Sequence, residues 1–190
     1  QRKPAPALAS RSVWPSLRFE SDWEQAEELA QARAALQRFL NWHLQRTDRH
    51  VVGSELRFET DVEVPGDRVR ISGSVDRLEV DDHGQFHIYD LKTQRKPETA
   101  AKLATHRQLE LYQLVANEGV FDERIEQLAP ASALPGTRDA SSPAESGKAA
   151  DASLVLLRVE ERNTGLPKVQ VQSAVSPQDV KADLAEAVRV

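Results

Sequence analysis

The residues of this 190-residue chain whose types and spacing suit chemistry lie in two short stretches, ISGSVDRLEV around Asp76 and IYDLKT around Asp90 and Lys92. Both read as β-strands, in which side chains two apart share a face. Asp90 and Lys92 are therefore neighbours, and Asp76 shares a face with Ser74, Leu78 and Val80. A carboxylate in such apolar company needs a partner, a metal or solvent. The turn between the strands places Asp90 and Lys92 within reach of Asp76. Two carboxylates on adjacent strands repel unless a cation lies between them, and Mg²⁺ accepts such oxygens together with waters. A cation held there polarises a phosphodiester and lowers the pKa of an attacking water. Lys92, just beyond it, would orient that water or stabilise charge developing on the phosphate without itself binding the metal. An Asp and a Lys side by side are by themselves only a weak surface pair, so the reading depends on what converges with them.

Glu55, at the start of the preceding strand, is a third carboxylate or water-positioning group in this scheme, set against the several ordinary surface acids of the same strand. Gln108 and Tyr112 are four apart and so share a helix face. Gln108 can donate to a phosphate or hold a ligand, and Tyr112 can contact a DNA backbone or base, or simply pack in the core. Arg95, Lys96, Lys102, His106 and Arg107, opposed only by Glu98, give a basic approach suited to a phosphate backbone. His43, His50, His83 and His87 have no tight metal spacing and read as solvated or structural.

Around these residues, Ser21 or Asp22 caps a helix running to His43–Arg46 with apolar positions Ala26, Leu29, Ala32, Leu36, Leu40 and Trp42. Leu56–Val64 alternates with charged residues, Pro65–Asp67 turns the chain, Val69–Val80 returns, and Phe86–Thr93 follows a turn at Asp81–Gly84. That is an antiparallel meander. One helix is expected over Glu98–Glu118 with Gly119 as its stop. A flexible loop is expected over 130–152, then strands at Leu154–Val159 and Lys168–Val175, and a last helix with Pro177 in its first turn. Residues 1–20, with Pro4, Pro6 and Pro15, read as an extended arm ahead of one domain over 21–190. This order implies an α/β fold with a mixed central sheet flanked by helices, without a dinucleotide fingerprint.

The chain is 39% hydrophobic and 29% charged, which suits a soluble domain, and its lack of cysteine excludes disulfides and thiolate metal sites within it. No run is apolar enough for a membrane span or a secretory signal, so the expected location is cytoplasmic. A net charge of −5 argues against a domain that grips nucleic acid by electrostatics alone, but a metal-dependent nuclease must itself concentrate carboxylates. With no methionine at position 1, the chain reads as a fragment of a larger protein.

The run GSVDRLEV, then IYDLKT, then QLELYQL resembles the RecB-type nuclease branch of the PD-(D/E)xK superfamily over about Glu55–Leu114. It is most similar to the C-terminal nuclease domains of actinobacterial AdnAB-type helicase-nucleases. The resemblance implies a restriction-endonuclease-like core and Mg²⁺- or Mn²⁺-dependent exonucleolytic hydrolysis of DNA. It makes Asp76, Asp90 and the Leu91 carbonyl metal ligands, Lys92 the catalytic lysine, and Gln108 and Tyr112 the helix-borne motif, with Glu55 matching the preceding glutamate. It also implies an ATP-dependent helicase region in the same chain, a second helicase-nuclease subunit, and a role in double-strand break resection and recombinational repair. One element departs from the pattern. The family's G-x-x-x-H segment has no counterpart, since Phe39 precedes His43 by four and Arg46 precedes His50 by four, so either that segment lies upstream of Gln1 or a different ligand set takes its place. The alternatives are a noncatalytic DNA-guiding or protein-docking module and a Mg²⁺-dependent phosphatase.

Overall fold

The structure, a computed structural model, describes residues 17–128 and 149–189. Residues 17–21 precede the first helix without forming helix or strand. The elements that follow are α1 (Asp22–Leu44), β1 (Arg49–Val64), β2 (Asp67–Asp81), β3 (Phe86–Lys92), α2 (Ala100–Ala104), α3 (Arg107–Asn117), α4 (Asp122–Leu128), β4 (Ala149–Glu160), β5 (Pro167–Ser173) and α5 (Pro177–Val188). The five strands form one sheet in the order β1-β2-β3-β4-β5. Only β3 and β4 run parallel, so the sheet is mixed, as the sequence implies.

α1 starts where Ser21 Oγ accepts the Glu24 amide at 3.2 Å, with Asp22 and Glu24 facing the positive end of the helix. It packs on one sheet face through Phe39 and Trp42, against Tyr89, Leu91, Val155 and Leu157. The opposite face carries the larger core: Leu78, Val80, Ile88 and Leu154 from the strands, Leu109, Leu114 and Val115 from α3, and Val180 and Ala185 from α5. Leu109 and Leu114 are fully buried, each contributing roughly 1.5–3 kcal/mol. They fix α3 across the sheet, and with it the residues α3 presents at its N-terminal end. No helix among the described residues is long and apolar enough to cross a membrane.

Several boundaries differ from the sequence expectation. The single helix expected over Glu98–Glu118 is two, α2 and α3, broken at Thr105 and His106 without glycine or proline. The break has a tertiary cause. The Gln172 side chain on β5 donates to the carbonyls of Leu103 and Ala104 at 2.9 and 3.3 Å, replacing the amides that would have continued the helix. Gly119, with φ of 77°, does end α3. β1 begins at Arg49 rather than near Leu56, through an irregularity between Val51 and Gly53. β4 begins at Ala149, so the end of the expected 130–152 loop belongs to the sheet, where backbone pairing with Phe86 and His87 overrides a weak local pattern. The rest of that loop, and residues 1–16 of the expected arm, lie outside the described residues. α4 was not foreseen.

Candidate active site

β2 bends at Asp76. On its distal half Ile71 and Val75 are buried, whereas beyond the bend Leu78 and Val80 are, so the parity facing the core changes around Asp76. Across the ladder, Ser54 pairs with Arg77 and Leu56 with Val75, which puts Glu55 opposite Asp76. Arg77 pairs with Tyr89, and the next position in that register sets Asp76 beside Asp90. Extending these registers brings Asp76 next to Asp90, with Glu55 on the far side of Asp76. β2 and β3 cease to pair there, and the Leu91 amide donates instead to Asp76 Oδ2 at 2.7 Å.

Asp90 and Lys92 emerge on the α3 side of β3, as their spacing requires. Lys92 Nζ lies 2.6 Å from Asp90 Oδ2, with the lysine side chain 31% exposed and the aspartate nearly enclosed. Gln108, in the first turn of α3, joins them: its Oε1 accepts from Lys92 Nζ at 3.3 Å and its Nε2 donates to Asp90 Oδ1 at 3.3 Å. The same Nε2 donates to the Tyr112 hydroxyl at 2.7 Å, which in turn donates to the Ser74 carbonyl at 2.7 Å. The helix thus ties the carboxylate of β3 to the backbone of β2. Burial pushes the Asp90 carboxyl above the usual carboxylate range and Asp76 adds to the push, while the Lys92 hydrogen bond and charge, and more weakly His106, pull it back. Burial likewise raises the Tyr112 hydroxyl, opposed chiefly by the Gln108 hydrogen bond.

Asp90 Oδ2, buried and met only by the Lys92 ammonium, is an acceptor suited to a cation. Among the described residues no three His, Asp or Glu side chains are grouped to hold a metal. Two carboxylates with main-chain oxygen and water nevertheless match the donor chemistry of Mg²⁺, which commonly uses only one or two carboxylates beside substrate phosphate. Asp76 and Asp90, with the Leu91 carbonyl at the adjoining strand position, are the residues that would hold it.

Other expected residues lie apart from this cluster. Glu55 is exposed, with φ of 52°, a left-handed conformation unusual for a glutamate, and no hydrogen bond joins it to the pair. Tyr112 is buried at 6% exposure with its ring edge-on to Phe58, and its hydroxyl braces Gln108 against the Ser74 carbonyl. Arg107 pairs with Glu110 and with Asp183 of α5, its side chain 66% exposed. Lys96 is exposed on the segment after β3. His43 meets Arg77 at 2.8 Å on the α1 side of the sheet, which separates it from the acid pair. The sequence reading counted His106 only as part of a basic approach. Its place at the start of α3 depended on a helix break that local pattern did not reveal.

A model of the PD-(D/E)XK nuclease superfamily matches residues 1–189. A solved structure described as "Crystal structure of SSO0001" is similar at 13% identity and a TM-score of 0.42, over 89% of this chain and 61% of that one. The chain thus spans less than two thirds of that protein's length. A search of curated proteins gave no match.

Proposed function

Because the chain belongs to the PD-(D/E)XK nuclease superfamily, we propose that it is a Mg²⁺- or Mn²⁺-dependent deoxyribonuclease domain that hydrolyses phosphodiesters from DNA ends. The observation that carries this reading is the meeting of Asp76, Asp90 and Lys92 on one side of the sheet, held by the Leu91 amide and by Gln108. When bound, the divalent ion supplies charge neutralisation at the phosphate and an acidified water. Asp76 and Asp90 are the side chains that would hold it. Lys92 donates to a phosphate oxygen or to the attacking water, stabilising negative charge as it develops. Gln108 fixes the lysine relative to Asp90, so neither group has to reorganise during reaction. Glu55, exposed on β1 opposite Asp76 and apart from the hydrogen-bonded cluster, would position water.

In the wider reading the domain resects double-strand breaks for recombinational repair. Its DNA is fed by an ATP-dependent helicase region of the same protein and a second helicase-nuclease subunit, with Lys96 among the residues that meet the backbone. The test compares Mg²⁺-dependent degradation of linear DNA by the full-length protein and its Asp76→Ala form. Loss of at least about 100-fold in rate is expected, the scale of removing an electrostatic element of a hydrolytic site. Equal degradation by both forms overturns the assignment. One observation favours a second reading as a noncatalytic DNA-guiding or docking module: the absence, among the described residues, of a three-carboxylate or histidine-completed cluster. DNA binding without any metal-dependent turnover in the wild type would establish that alternative.

A further inference from the structure

Gln113 of α3 and Gln172 of β5 are buried amides to which the scheme above gives no task. We infer that Gln172, acting through Gln113, is a positioning residue for cleavage: it holds α3 so that Gln108 meets Lys92 and Asp90. The inference rests on the nuclease reading.

α3 lies across β4 and is tied to the strand on either flank. On one side Gln108 Nε2 donates to Asp90 of β3 at 3.3 Å, and on the other Gln113 Nε2 donates to Gln172 Oε1 of β5 at 3.2 Å. The register sets Asp90 opposite Leu154 and Leu154 opposite Gln170, which shares a strand face with Gln172. The two anchoring strands are two spacings, about 10 Å, apart. Along α3, Gln108 and Gln113 are five residues apart, which turns them about 140° from each other around the axis. Tethers so placed oppose both rotation of the helix and its sliding over the sheet. Burial of Leu109 and Leu114 supplies adhesion without that direction.

The hydrogen bonding leaves neither amide a choice of orientation. The Leu103 and Ala104 carbonyls can only accept, so Gln172 Nε2 faces them at 2.9 and 3.3 Å and its Oε1 is left for Gln113. The Val175 amide can only donate, so Gln113 Oε1 accepts it at 3.0 Å, and Gln113 Nε2 turns to Gln172 and to the Ser173 carbonyl at 3.4 Å. A fully satisfied buried polar network of this kind fixes one arrangement of the elements it joins. Gln170 adds a second hold on the same segment: it accepts the Glu98 amide and donates to the Glu98 carbonyl, each at 2.8 Å. The chain between Lys92 and Gln108 is therefore pinned to β5 at Glu98 and again at Leu103 and Ala104. Its two ends are the side chains that meet at 3.3 Å beside Asp90.

The experiment is a double-mutant cycle in the full-length protein. It reads single-turnover cleavage of linear DNA in Mg²⁺, and affinity for the same DNA with Ca²⁺ in place of Mg²⁺. Gln172→Leu should slow cleavage about 10- to 100-fold, the scale of a misplaced group at a reacting centre, with DNA affinity within about two-fold of wild type. In a Gln108→Ala background the same substitution should slow cleavage by no more than about two-fold further, because the tether acts through Gln108. Gln113→Met, which cuts the tether from the helix side, replaces Gln172→Leu if that variant fails to fold. Wild-type cleavage by the variant, or the same multiplicative loss in both backgrounds, overturns the inference. Cleavage surviving in Asp90→Ala would instead defeat the nuclease reading itself, so the two failures are distinguishable.

Discussion

Replacing Tyr112 by phenylalanine separates a positioning role from a DNA contact. The hydroxyl accepts from Gln108 Nε2 at 2.7 Å and donates to the Ser74 carbonyl at 2.7 Å. Tyr112→Phe removes both bonds but keeps the ring, which is 6% exposed and lies edge-on to Phe58 at 6.2 Å between centroids. The Gln108 amide retains Asp90 as an acceptor, so most of the cost falls on the Ser74 carbonyl left without this donor. An unmade buried hydrogen-bonding group costs about 1–3 kcal/mol. With a urea dependence of about 2 kcal/mol/M, the middle of the usual range, the unfolding midpoint should fall by about 0.5–1.5 M at unchanged slope. DNA affinity in Ca²⁺ should stay within about two-fold of wild type, because the hydroxyl is used inside the protein and surface changes elsewhere contribute little. Turnover should drop moderately as Gln108 loses its anchor. The reasoning is refuted if the midpoint does not move while DNA binding weakens, since the hydroxyl would then face the nucleic acid.

Asp90 gives a pH test with a defined sign. Its carboxyl is raised in the folded state by burial, so the native protein holds that proton more tightly than the unfolded chain. Its contribution is most favourable below the unfolded value and is lost as pH rises through the folded one. Asp90→Asn should therefore gain stability relative to wild type across that interval, and the difference between their urea midpoints should be flat above it. A constant difference throughout would contradict the burial argument. On the α1 side, the buried Glu79 accepts from Arg77 at 2.7 Å and from Arg46 at 3.0 Å. Glu79→Ala leaves the buried Arg77 without its carboxylate and should cost about 3–5 kcal/mol in denaturant unfolding. A loss under about 1 kcal/mol would mean that this pair is solvent-screened, as exposed pairs are.

Most of the frame, and some of the side-chain neighbourhoods within it, were legible in the sequence. Period-two alternation identified β1 to β3, and the intervals from Asp76 to Asp90, Lys92 and Gln108 anticipated side chains that do meet, because strand pairing and a helix turn translate spacing directly into neighbourhood. The α2–α3 break was not legible, since the side chain that takes the carbonyls of Leu103 and Ala104 there is Gln172, 69 and 68 residues further along. The same distance effect hid His106. The two readings of Tyr112, DNA contact and core packing, were not separable in the sequence, because residue type alone does not say whether a hydroxyl faces a carbonyl or a solvent-exposed groove. Arg107 pairs with Asp183 on a helix that only the tertiary fold brings alongside. The bend at Asp76 also escaped, because alternation was assumed to keep one parity along all of β2.

The central claim is that Lys92 serves the chemical step while Asp76 and Asp90 hold the metal. Its most direct measurement pairs Mn²⁺ binding by calorimetry with single-turnover cleavage of linear DNA, for the full-length wild type and Lys92→Ala. The account predicts that the variant binds Mn²⁺ at least as tightly as wild type, freed of a competing ammonium 2.6 Å from Asp90, yet cleaves at least about 100-fold more slowly. Wild-type cleavage by the variant, with metal binding intact, would contradict it.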